Sequence, residues 1–117
     1  YVRQMSSRRS PRLEFNPSSG RVEIDGVPLR AELSRLDIAL LTHLYLRRGQ
    51  VCSRQELQEV LYPDDKTSDE YLTARRLDSQ VRRLRDKIEP DRDHPRFIIT
   101  VRDRGYKLVA DAEADAG

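Results

Sequence analysis

The chain has one cysteine, no tryptophan and two histidines in 117 residues. A single thiol, Cys52, excludes an intrachain disulfide. With His43 and His94 far apart along the chain it also leaves no zinc-binding spacing, so neither metal nor cofactor is expected. Reducing surroundings follow, with a cytoplasmic, nucleoid-associated location. No apolar run approaches the ~20 residues of a membrane-spanning helix, and there is no signal-peptide core, so no membrane role is expected. A glycine-rich phosphate loop, a Ser-His-Asp set and a close carboxylate pair are all missing, which argues against an enzyme. Apolar residues make up 37% and charged residues 36% of the chain. That suits one small three-helix core better than a large packed one. The first residue is Tyr1 rather than Met, and the expectation is that the chain is part of a longer protein.

What is abundant is charge, and it is segregated. The formal net charge of +2 conceals a basic start (Arg3, Arg8, Arg9, Arg12) without an acid. Between residues 56 and 70 the order reverses: Glu56, Glu59, Asp64, Asp65, Asp69 and Glu70 face only Lys66. A second basic segment follows, with Arg75, Arg76, Arg82, Arg83 and Arg85. Leu72, Leu77, Val81, Leu84 and Ile88 recur through it at helical spacing and predict a buried stripe. At about 100° per residue, Arg75, Ser79 and Arg82 fall opposite that stripe, with Arg76 and Arg83 on one shoulder. A solvated face with intrahelical ion pairs is the plainer reading. However, Asp78 and Asp86 cannot neutralise five arginines, which favours a face suited to phosphates and guanine edges.

Residues 1–11 read as a linker or flexible terminus, 12–110 as one domain and 111–117 as a flexible tail. Leu13–Phe15, Arg21–Asp25 and Val27–Leu29 alternate apolar and polar residues around two turn signals, Asn16–Gly20 and Asp25-Gly26, and predict an antiparallel meander. Ser34, followed three residues later by Asp37, opens a first helix, and Gly49 stands at its end. Ser53 and Glu56 form a capping box for a second helix, which Pro63 closes. The arginine-bearing helix is predicted from about Asp69 to Glu89, with Pro90 as its stop. Phe97–Arg102 and Tyr106–Val109 read as a hairpin around a type I turn, with Gly105 in the left-handed bulge position. The fold class is therefore α+β: a winged helix-turn-helix with an N-terminal antiparallel sheet, a three-helix core and a C-terminal hairpin wing.

Two motifs carry a family resemblance. Val81-Arg82-Arg83-Leu84-Arg85-Asp86-Lys87-Ile88-Glu89-Pro90 and Phe97-Ile98-Ile99-Thr100-Val101-Arg102-Asp103-Arg104-Gly105-Tyr106 resemble the recognition-helix end and wing of OmpR/PhoB-type response-regulator effector domains. Gly49 to Leu57 resembles the same family's entry to its second helix, and the likeness covers residues 13 to 109. It implies sequence-specific binding of double-stranded DNA by a bacterial transcription regulator, with the third helix in the major groove and the wing in the minor groove. Arg76, Ser79 and Arg83 would then face bases. Tyr62, Arg75, Gln80, Arg82, Arg85, Thr100 and Tyr106 would hold phosphates, and Arg102 and Arg104 would enter the minor groove. Arg85 also has a structural reading, as an ion-pair partner of Glu89. Five to seven phosphate contacts would give a log–log salt slope near about −5.

The chain departs from the family's pattern in three places. Asp103 stands at the usual wing glycine, Ser79 replaces a commonly apolar base-contacting residue, and the link between Tyr62 and Arg75 is longer. The extra residues extend either the third helix or the acidic loop. In this family the loop meets RNA polymerase, which would make Asp64, Asp65, Asp69 and Glu70 a contact surface; the alternative is a solvated loop whose acids complement a helix N-terminus. The resemblance further implies dimeric or tandem binding on DNA and an upstream receiver or sensor domain. The competing function is a winged helix used for protein–protein contact with an acidic partner.

Overall fold

A computed structural model describes residues 12–64 and 69–110. The proposed linker and tail, Asp65 and the centre of the acidic loop lie outside these residues. Strands β1 (Leu13–Asn16), β2 (Arg21–Ile24) and β3 (Val27–Pro28) form an antiparallel meander. Leu13, Phe15 and Val22 turn inward to the core, while Glu14, Asn16 and Arg21 face solvent. The β2–β3 turn places Asp25 at φ 53° and Gly26 at φ 81°. Positive φ at both central residues matches the right-handed twist of the strands it joins.

Helix α1 (Arg35–Leu46) starts at Ser34 with a reciprocal capping box: the Asp37 amide donates to the Ser34 hydroxyl at 3.1 Å and the Ser34 amide donates to the Asp37 carboxylate at 2.9 Å. Strand β4 (Cys52–Ser53) leads directly into α2 (Arg54–Leu61), whose N-cap Ser53 forms a second box with Glu56. Helix α3 (Glu70–Ile88) crosses both. Leu40, Leu41 and Leu44 of α1, Leu57 and Leu61 of α2, and Leu77, Val81, Leu84 and Ile88 of α3 are all buried together. Transferring each such side chain from water is worth about 1.5–3 kcal/mol, which makes this triple-helix seam the main source of cohesion.

Strands β5 (Ile98–Val101) and β6 (Gly105–Leu108) make the expected hairpin, with Phe97, Ile98, Tyr106 and Leu108 turned into the core. The sheet has a third strand that the sequence pattern misses. β4 pairs antiparallel with β6 through Cys52–Tyr106 and Ser53–Gly105, giving the order β4-β6-β5. A two-residue strand carries no alternation from which to predict it. The Leu13 amide donates to the Ala110 carbonyl at 2.8 Å, which ties the first strand to the end of the wing.

Leu72 is a correction. It was expected on the buried stripe, yet it is 49% exposed. Helix α3 begins at Glu70, within the link between Tyr62 and Arg75. Asp69 stands before its first turn, accepting from the Leu72 amide at 3.2 Å through its side chain and from the Thr73 hydroxyl at 3.1 Å through its carbonyl.

Candidate nucleic-acid interface

The apolar stripe of α3 fixes what its other side presents. Arg75, Arg76, Ser79, Arg82 and Arg83 are all exposed, as their helical phase requires. Two acids on the same helix, Asp78 and Asp86, are engaged elsewhere. Asp78 accepts from Arg54 of α2 at 2.6 Å, and Asp86 pairs with Arg92 at 3.1 Å. Among the described residues no carboxylate pairs with Arg82 or Arg83, so the helix keeps a concentrated positive face. Arg76 lies 4.3 Å over the ring of Tyr62, and the Tyr62 hydroxyl donates to the Arg76 carbonyl at 3.2 Å. Tyr62 thus closes the turn after α2 against the shoulder of α3.

Three residues expected on phosphates bond within the protein instead, Gln80 and Tyr106 because they are buried and Arg85 because its guanidinium is taken up by the wing. Gln80 is 2% exposed and donates its amide to Asp37 at 2.6 Å. Tyr106 is 4% exposed and donates its hydroxyl to Asp78 at 2.5 Å. Arg85 donates through Nε and Nη2 to the Ile98 carbonyl, at 3.2 and 2.8 Å, and through Nη2 to the Thr100 hydroxyl at 2.8 Å. The alternative reading of Arg85, an ion pair with Glu89, is not made among the described residues. Glu89 instead accepts from the amides of Arg96, Phe97 and Ile98 at 2.7–3.2 Å, satisfying backbone donors where the chain enters β5. Thr100 stays exposed at the surface beside Arg85.

These three residues position the interface. Arg54 and Arg85 each approach the Tyr106 ring, 5.7 Å from its centroid, and Asp78 bridges Arg54 and the Tyr106 hydroxyl. Burial, reinforced by the Asp78 carboxylate, pushes the Tyr106 phenol above its ordinary pKa. Burial alone would lower the Arg54 pKa, but Asp78 outweighs it and raises it. The phenol therefore keeps its proton, and its donation to Asp78, through the neutral range. Asp78→Ala is expected to strip the wing of its anchor on α3 and cost about 1–2 kcal/mol through the orphaned partners. Faster hydrogen exchange in β6, with the helices still protected, would show it.

Arg102, Asp103 and Arg104 form the exposed wing tip. The Arg104 amide donates to the Val101 carbonyl at 2.9 Å, and Asp103 has φ 64°. The left-handed residue is thus Asp103, in the position i+2 that a type II turn requires, rather than Gly105 in a type I turn with a bulge. Aspartate occupies this region more readily than most side chains. Gly105 has φ 146°, and a Cβ there would lie 2.0 Å from the Cys52 carbonyl oxygen.

Of the acidic residues between α2 and α3, Asp64 and Asp69 are exposed. His43 of α1 is half-buried and bonded to Glu56. Among the described residues no helix is long and apolar enough to cross a membrane.

Known proteins share this arrangement. Residues 29–108 match the family described as "Transcriptional regulatory protein, C terminal". Protein PetR of Rhodobacter capsulatus is 37% identical over 100 residues, covering 85% of this chain and 41% of PetR. Sensory transduction protein RegX3 of Mycolicibacterium smegmatis is 37% identical over 87 residues, covering 74% of this chain and 36% of RegX3. The chain thus spans about two fifths of these curated relatives. Among solved structures, the DNA-binding domain of RstA from Klebsiella pneumoniae, in complex with the RstA box, superposes with a TM-score of 0.68 at 28% identity, covering 84% of this chain and 91% of that one.

Proposed function

Because the chain belongs to the family of C-terminal domains of transcriptional regulatory proteins, of the OmpR/PhoB type, we propose that it binds double-stranded DNA sequence-specifically as the output domain of a bacterial transcription regulator. The observation that carries the proposal is the outer face of α3: five exposed residues, four of them arginine, on a helix whose Asp78 and Asp86 are engaged elsewhere. Arg83, Ser79 and Arg76 are assigned to bases, Arg75, Arg82, Tyr62 and Thr100 to phosphates, and Arg102 and Arg104 to the minor groove. The helix supplies direct readout, and the phosphate partners set its register.

Site selection from a random duplex pool at fixed salt tests this reading. Wild type is expected to enrich one repeated motif. Arg83→Ala should blur a single position of it, since one bidentate arginine–guanine contact is worth about 1–3 kcal/mol of discrimination. Enrichment of no motif by either protein would reject sequence-specific binding and favour contact with an acidic protein partner. With Arg85 committed to the wing and Gln80 and Tyr106 buried, four of the seven assigned phosphate contacts remain; two of these, Arg75 and Arg82, are charged, and the wing-tip Arg102 and Arg104 bring the cations set against the duplex to four. The log–log salt slope is then expected near about −3 rather than −5.

The proposal extends to assembly. One module of this size secures few unique sites, so two copies are expected on half-sites about one helical turn apart. A receiver or sensor domain elsewhere in the protein is proposed from the greater length of PetR and RegX3. Asp64, Asp65, Asp69 and Glu70 are assigned to RNA polymerase contact. Asp69 also caps α3, so its substitution would affect the helix whether or not the polymerase touches it. Asp64→Ala is the cleaner test: it should reduce transcription while leaving operator affinity unchanged.

A further inference from the structure

Behind the DNA-facing surface, α1, β4 and α2 converge on His43, Cys52 and Glu56. The imidazole nitrogen, the thiol sulfur and a carboxylate oxygen all lie within 4.8 Å of one another. Cys52 is fully buried and forms the floor. The side chains of His43 and Glu56 are 21% and 33% exposed and form an open rim. We propose that these three residues bind a divalent zinc ion, with water from the open side as fourth ligand.

The donor chemistry and the charge both fit. One thiolate, one imidazole and one carboxylate make a three-ligand set with an open position, and the two anions balance a dication. Bond lengths of about 2.0–2.3 Å place tetrahedral ligands about 3.5 Å apart. Reaching that spacing means drawing the widest pair in by about an ångström and letting the His43–Glu56 pair open. Glu56 divides its oxygens usefully: Oε1 accepts from the Ser53 amide at 3.4 Å, whereas Oε2 faces His43 and the Arg47 guanidinium, 3.4 Å away. Metal would take Oε2 in place of the His43 contact while the helix cap keeps Oε1. Arg47 is the competing cation. Its side chain is 54% exposed and has room to swing into solvent. The ion would thereby clamp the end of α1 to the strand and helix that follow it.

Cobalt titration of the chain under thiol-reducing conditions tests the site. The expected result is a thiolate-to-cobalt charge-transfer band that saturates at one equivalent and is abolished by excess zinc. His43→Ala and Glu56→Gln should each weaken binding by roughly tenfold or more. His43 is on the rim, so its alanine variant is expected to stay folded, which circular dichroism checks. Cys52→Ser should abolish the band. Absence of a band in wild type overturns the proposal. A folded His43→Ala variant that titrates like wild type also overturns it, because the thiol would then be using other ligands.

Discussion

Asp37→Ala is expected to destabilise the domain by about 3–5 kcal/mol, more than any change on the DNA-facing surface. The side chain is buried yet serves three partners on two elements, Gln80 and Lys87 of α3 and the Ser34 cap of α1. Oδ1 accepts from Gln80 at 2.6 Å, and Oδ2 accepts from Lys87 at 2.5 Å and from the Ser34 amide at 2.9 Å. Removing it leaves Gln80 with an unpaired buried amide, Lys87 without its counter-ion and α1 without half its capping box. For a domain of about 100 residues this corresponds to a fall in melting temperature of at least about 12 °C. A drop below about 4 °C would mean that the network contributes little. The same carboxylate sets an acid limit. Burial pushes its pKa up, but hydrogen bonds from Lys87 and Ser34 outweigh that and leave it lowered. A lowered folded-state pKa adds stability above the unfolded-state value, which is lost as pH falls through the folded value. Acid unfolding should therefore occur at lower pH in wild type than a variant without this network would show.

Gly105→Ala is the second large effect, expected at about 3 kcal/mol or more. A side chain there meets strain at φ 146° and a backbone clash, since the new Cβ would lie 2.0 Å from the Cys52 carbonyl oxygen. A backbone carbonyl of a paired strand cannot retreat like the end of a flexible side chain. The strand β4 must then part from β6, and the change reaches the Ser53 cap of α2. The result should be a loss of melting temperature together with exposure of Cys52 to a thiol reagent. A variant with wild-type melting and a shielded thiol would show that the β4–β6 pairing is dispensable. By contrast, Asp103→Gly removes a left-handed aspartate at a surface turn. It should be neutral or stabilise by up to about 1 kcal/mol, read from thermal melts.

The helices were legible because their boundaries are written locally. Ser34 with Asp37 and Ser53 with Glu56 each span one turn, and both boxes form as read. The exposed arginine face followed from periodicity for the same reason. What escaped the sequence was non-local. Gln80 lies three residues from Leu77 and four from Leu84, a phase that signals burial, but its partner Asp37 is 43 residues away. Resemblance placed Tyr106 and Arg85 on DNA; packing gives them to Asp78, Ile98 and Thr100. Residue type alone does not say whether a guanidinium meets a phosphate or a carbonyl. The turn at Asp103 escaped because glycine two residues later was the stronger conventional signal, while the pairing with β4 claims that glycine for close backbone approach.

The links from Asp78 to Tyr106 and from Arg85 to Ile98 and Thr100 join the recognition helix and the wing into one stiff body. A reader that cannot flex leaves the adjustment to the duplex. If both grooves are engaged at a set spacing, sequences between the two contacts that bend or narrow at little cost will be preferred, although no side chain touches them. Selected sites should therefore show pyrimidine–purine steps or A-tracts at fixed, uncontacted positions. In Asp78→Ala, where wing and helix are expected to move separately, that secondary preference should fade while the motif position proposed for Arg83 remains.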